Sequence, residues 1–163
     1  MFLPDLWRSR RALENIEGFD HSVVNTTLGA CGNLPPPQEG PILPFFVWQC
    51  GETKELSERF TLMEFDFSKP MNSCSGKAKV QFTNTGVCHG FALWIDWVLD
   101  AESGILVSTG PGSRYWKQGV KLLSSPVSVG SQDLHSDEYL CVEIDAAFDS
   151  SSGNLMVHES FLQ

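Results

Sequence analysis

No stretch of this chain runs to eighteen consecutive apolar residues, so none reads as a membrane-spanning helix. Basic residues are scarce: 11 Lys and Arg face 20 Asp and Glu, a net charge of −9. Phosphate backbones and anionic membranes are gripped by basic surfaces, so both are excluded as partners. A cationic partner, such as an arginine-bearing peptide, is compatible with that charge. Cysteine is present without pattern. Cys31, Cys50, Cys74, Cys88 and Cys141 are odd in number and never spaced as CxxC. That predicts reduced thiols in a cytosolic or nuclear protein. Cys74, Cys88 and His89 lack the paired short spacings of structural zinc, so no metal site is assigned. Neighbouring strand residues point to opposite faces, so Cys88 and His89 make no catalytic dyad. No GxGxG turn occurs and no βαβ alternation, which excludes a pocket for a nucleotide-type donor. The start, Met1-Phe-Leu-Pro-Asp5, is too short and too quickly charged for a signal peptide.

What remains suits one β-rich domain: 163 residues, 42% hydrophobic, with 14 glycines. The chain is organised around Gly86-Val-Cys-His-Gly-Phe-Ala-Leu-Trp-Ile-Asp-Trp-Val-Leu-Asp100. Phe91, Leu93, Ile95, Trp97 and Leu99 recur at spacing two, and the residues between are apolar apart from Asp96. A strand apolar on both faces is normally covered on both, so 91–99 is expected to be a long central strand. Its hairpin partner is Ile105-Leu-Val-Ser-Thr109, after a turn at 101–104.

Short alternating runs surround it. Met63, Phe65 and Phe67 alternate with acids, and Ala78, Val80 and Phe82 alternate with polar residues; this pair is expected to flank the central strand. Pro44-Phe-Phe-Val-Trp-Gln-Cys50 reads as an apolar strand. Val120 with Leu122, and Val127 with Val129, read as two short strands broken at Ser124-Ser-Pro126. Leu140, Val142 and Ile144 point inward on another strand, and Leu155-Met-Val-His158 closes a last hairpin after a turn at 149–153. The fold class is therefore all-β: an antiparallel β-barrel or sandwich of roughly eight to ten strands with an N-terminal helical arm. In that arm Asp5 is the expected N-cap, Leu6, Ser9, Ala12, Leu13 and Ile16 share a face, and Gly18 stops the helix. The Pro-rich run 33–41 reads as an exposed loop, and the carboxylates Glu64, Asp66, Glu143 and Asp145 as solvated strand faces. His89 reads as an ordinary strand-end histidine, and His21, His135 and His158 receive no role.

The most specific text follows the hairpin: Ser108-Thr109, Pro111, then Arg114-Tyr-Trp-Lys-Gln118 and a β-run. With the aromatic strand before it, this resembles the C-terminal β-barrel of the protein arginine methyltransferases, most of all the second module of their tandem members. Leu13-Glu-Asn-Ile-Glu-Gly-Phe-Asp20 is similar to that family's Trp-Glu-Asn-Val-Tyr-Gly-Phe-Asp. The resemblance implies a helical arm segment over 1–25, with Leu13, Ile16 and Phe19 at the interface with a catalytic module, and a barrel over 26–163. It implies a substrate loop of Tyr115, Trp116, Lys117 and Gln118, with Tyr115 where the family has histidine. Trp116 could equally be core packing under the loop. The family's paired-glutamate loop is absent, so no catalytic residue is assigned. The chain alone is expected to bind no cofactor and to be inactive, S-adenosylmethionine belonging to the parent enzyme. The partners implied are that catalytic module and an arginine-bearing protein. The competing reading is a free-standing β-sandwich binding protein or carbohydrate through Trp48 or Trp94.

Overall fold

The computed structural model describes residues 1–12, 15–16, 18–20, 42–100, 102–130 and 140–163. In order these are helix α1 (Pro4–Ala12), strands β1 (Asn15–Ile16), β2 (Phe19–Asp20) and β3 (Leu43–Phe45), and a 3-10 turn at Val47–Gln49. There follow β4 (Cys74–Gln81), β5 (Gly86–Leu93), β6 (Asp96–Asp100), β7 (Ile105–Ser108), β8 (Gln118–Val129), β9 (Cys141–Asp149) and β10 (Asn154–Leu162). All pairings are antiparallel. One three-stranded sheet is ordered β3-β8-β5 and another β10-β9-β4, with the β6–β7 and β1–β2 hairpins apart. Among the described residues no pairing joins the two larger sheets into a closed barrel.

Strand β8 is the spine. Side chains alternate across a strand. Val120 and Leu122 pack with Leu3, Leu6 and Val47, which puts α1 on that face of the sheet. Leu123 packs the other way with Leu56, Cys88 and Val129, against partly buried Phe82 and Phe161. Val80, Val142, Ile144, Ala146 and Val157 complete the layer on the side of the second sheet. Burying each of these aliphatic side chains stabilises the fold by about 1.5–3 kcal/mol. Lys121 shares that inner face. Its Nζ meets Glu159 Oε2 at 2.5 Å and donates to the carbonyl of Val157, both on β10. The two side chains are 0% and 1% exposed, and Glu159 Oε1 is buried with no hydrogen-bond partner.

Several expectations are corrected. The strand expected over 91–99 breaks after Leu93. Leu93 pairs with Gly119, and β8 begins at Gln118, so the chain beyond it has almost no more partner to pair with. It turns away and pairs with β7, leaving Trp97, Val98, Leu99, Ile105, Leu106 and Val107 exposed. The two short strands expected around Pro126 are one, β8. Between Cys88↔Val127 and Gly90↔Leu122 the ladder bulges, and exposed Pro126 sits in that irregular stretch, where its missing N–H breaks no regular ladder bond. Met63, Phe65 and Phe67 do alternate, yet 58–73 forms no strand: it has no ladder partner among the described residues, and Gly76 leaves room for the Leu62 carbonyl to lie directly on it. Strand β4 pairs with β9, not with the central strand. Of the 44–50 run only Pro44 and Phe45 are strand, as the end of β3, and Val47–Gln49 is the 3-10 turn; Leu140 is exposed rather than inward.

The N-terminal helix also differs. Pro4, with its fixed φ and no N–H to leave unpaired, is its first residue, which places Asp5 in the first turn rather than at the N-cap. It ends at Ala12. Gly18, at φ +87°, instead turns the β1–β2 hairpin. Helix α1 packs through Leu6 and Trp7, beside Leu3 just before it, with Trp7 Nε1 donating to the Leu123 carbonyl at 3.1 Å.

Candidate functional site

Residues 109–117 connect β7 to β8 and carry the family-like loop. Its entry is fixed by Thr109. The Ile95 N–H donates to Thr109 Oγ1 at 3.0 Å, and that hydroxyl donates to the Ile95 carbonyl at 2.9 Å. Pro111 sits inside a turn closed by Ser113 N–H to the Gly110 carbonyl at 2.9 Å, the position its ring favours. Gly110 itself lies against the Trp94 indole, which also carries the Arg59 guanidinium over its ring at 5.5 Å.

The exit is fixed by Gln118, which is fully buried. Its Nε2 donates to the carbonyls of Thr109 (2.7 Å), Gly110 (3.0 Å) and Trp116 (2.9 Å). Its Oε1 accepts from the Val47 N–H at 3.2 Å. One carboxamide thereby ties both ends of the loop to the 3-10 turn. The two Nε2 hydrogens are shared among three carbonyls, and a buried amide so engaged is rigid, because releasing its partners strands polar groups out of water.

The loop's crown faces outward. Tyr115 is 91% exposed and Trp116 55%, so the core-packing reading of Trp116 is set aside. The Arg114 guanidinium lies over the Trp48 ring and the Lys117 ammonium over the Phe46 ring, each at 5.5 Å from the centroid. Phe46 and Trp48 meet edge-on at 6.4 Å. A shallow cleft of about 550 Å³ adjoins them, lined by Leu6, Pro44, Phe46, Cys50 and Lys117 among others. Burial pushes the Cys50 thiol above its ordinary range, away from nucleophilic duty.

Of the residues singled out in the sequence, Tyr115, Trp116 and Lys117 share this exposed crown, while Gln118 is the fastener beneath it. The crown is completed by Arg114, Phe46 and Trp48. Phe46 and Trp48 fall at strand spacing in the run 44–50; sequence periodicity cannot distinguish that from a 3-10 turn presenting both rings to a loop seventy residues on. Leu13 lies outside the described residues. Ile16 pairs with Phe19 through β1 and β2, and Phe19 is 70% exposed. Among the described residues no three His, Cys, Asp or Glu side chains converge on a metal position.

Compared with known proteins, residues 7–150 match the family model described as the arginine methyltransferase oligomerization subdomain. The chain is 55% identical over 162 residues to "Protein arginine N-methyltransferase 7" of Oryza sativa subsp. japonica, covering 98% of this chain and 21% of the relative. It is 55% identical over 158 residues to "Protein arginine N-methyltransferase 1.6" of Arabidopsis thaliana, covering 96% and 21%. With "Protein arginine N-methyltransferase 7" of Xenopus laevis the identity is 31% over 151 residues, 83% of this chain and 21% of the relative. The chain thus spans about a fifth of the length of these relatives. From the sequence resemblance the expected match is the tandem member numbered nine; the relatives found carry the numbers 7 and 1.6 instead.

Proposed function

Because this chain belongs to the protein arginine methyltransferases, through their oligomerization subdomain, we propose that it is a barrel-type module of a longer protein-arginine N-methyltransferase. In this reading it is the second module of a tandem enzyme. Residues 1–25 are an arm segment and residues 26–163 the module proper. It contributes to pseudo-dimer assembly with a catalytic module and to docking of an arginine-bearing protein at Tyr115, Trp116 and Lys117, on the loop that buried Gln118 fastens. The observation that carries the reading is the loop 109–117, held rigid by buried Gln118 with its aromatic crown facing solvent, within a chain matched to the family over 7–150.

The module holds no chemistry of its own in this reading. Methyl transfer to a guanidinium needs a positioned donor and carboxylates that hold the acceptor bidentately, and positioning supplies much of such a rate. The S-adenosylmethionine pocket and the glutamate pair therefore belong to the rest of the parent, which acts in the cytoplasm or nucleus. The test is reconstitution. The chain alone should neither take up S-adenosylmethionine in titration calorimetry nor methylate an arginine peptide; mixed with the catalytic module it should restore methylation. Donor binding by this chain alone would reject the division of labour. If Leu13→Asp with Ile16→Asp left the reconstituted activity unchanged, the arm assignment would be wrong.

A further inference from the structure

The loop crown holds a second feature that the methyltransferase reading does not use. On a chain of net charge −9, the loop carries two cations, Arg114 and Lys117, with Asp5 the one acid lining the adjoining cleft. Arg8, Arg59, Lys69, Lys77 and Lys121 each meet an acidic side chain. Among the described residues Lys54, Lys79, Arg114 and Lys117 form no ion pair, and of these Arg114 and Lys117 lie on aromatic rings, Trp48 and Phe46. An aromatic face attracts a cation without neutralising it. A guanidinium flat on an indole keeps its N–H edge free for a carboxylate, in the fork geometry that favours bidentate contact. The Gln118 carboxamide fixes the loop and the 3-10 turn in relation to each other, so the four side chains need little further ordering to bind.

We propose that Phe46, Trp48, Arg114 and Lys117, with Tyr115 and Trp116 at the rim, form a docking surface for a short acidic protein segment that also carries an aromatic or apolar side chain. Charge complementarity selects the occupant. A guanidinium would meet like charge at these two cations, so an arginine-bearing protein docked on this loop meets them through an acidic stretch apart from its arginine. A nucleic acid would extend past a two-cation patch onto an acidic surface and be repelled there. A few carboxylates confined to the patch meet both cations, and the exposed rings of Trp48, Tyr115 and Trp116 supply the apolar contact. The surface stands on the loop's own geometry and holds whether or not the parent methylates arginine.

The probe is a short fluorescein-labelled peptide of alternating glutamate and tyrosine, titrated with the full 163-residue chain and followed by anisotropy. It should bind, and the affinity should fall as salt is raised. Arg114→Gln with Lys117→Gln should weaken it about tenfold, the loss of two exposed charge contacts, while Lys69→Gln leaves it unchanged. Arg114→Glu with Lys117→Glu should reverse the preference towards a lysine–tyrosine peptide. Both side chains are exposed, so far-ultraviolet circular dichroism should be the same for every variant. The proposal is overturned if the glutamate peptide does not bind, or if a glutamine–tyrosine peptide binds as tightly. It is overturned equally if the double variant keeps the parent affinity, or if a labelled oligouridylate binds more tightly than the glutamate peptide.

Discussion

Taking an ammonium out of water costs several kcal/mol, and Lys121 recovers it only through Glu159 and the Val157 carbonyl. The pair bridges the two larger sheets from inside. Replacing one partner leaves the other charge buried and alone, the more so because Glu159 Oε1 already lacks a partner. Lys121→Met should therefore lower stability by about 3–5 kcal/mol. Adding Glu159→Leu should bring it back to within about 1 kcal/mol of the parent, since a packed apolar pair can match a buried ionic one. Urea unfolding of the two variants checks this, and a double variant as weak as the single would remove the pair's structural role. The sequence could not disclose it. Lys121 sits between apolar Val120 and Leu122 in strand alternation, which by itself puts a lysine on the wet face.

At the scale of elements, the join between α1 and β5 runs through His89. The Leu3 N–H donates to His89 Nδ1 at 3.3 Å, so that nitrogen must be unprotonated. Phe2 and Trp7 pack around the ring, at 5.2 and 6.2 Å between centroids. Burial pushes the His89 pKa below its ordinary value of 6.5. The unfolded chain then binds the proton more readily than the folded one. The contact is fully present above pH 6.5 and is lost as pH falls from there through the folded-state value. Amide exchange at Leu3 and Trp7 should accelerate on acidification across that window, and His89→Phe should flatten the response; unchanged exchange would show that the helix is held without His89.

Elements were legible where their signal was local. The turns at 102–104 and 150–153, the alternation of β4, and the loop motif all rest on neighbours in sequence. The break after Leu93 was not legible, because it is set by where β8 begins, twenty-five residues on. The end of α1 at Ala12 was hidden by a glycine able to stop a helix or turn a hairpin equally well. For the site, the exposed crown at 115–117 could be read from its motif, while Gln118 looked like one more member of it. Nothing in a single letter says that a glutamine points inward.

Across the whole molecule, hydrophobic surface and charge are in tension over one feature, the β6–β7 hairpin. Both its faces carry exposed apolar side chains, and among the described residues its strands have unpaired outer edges, the geometry that invites a neighbouring copy to add on. What keeps copies apart in dilute buffer is mutual repulsion from the net −9. That repulsion vanishes near the sequence pI of about 4.8. Colloidal behaviour is therefore governed by a hairpin that contributes little to the folded core. Light scattering should climb steeply as the pH approaches 4.8, at temperatures where the fold itself is intact. Val98→Lys with Leu106→Lys should hold the solution clear at that pH, and turbidity undiminished in this variant would move the cause elsewhere. For anyone concentrating or crystallising this module, the strand that reads as its most buried sets the limit.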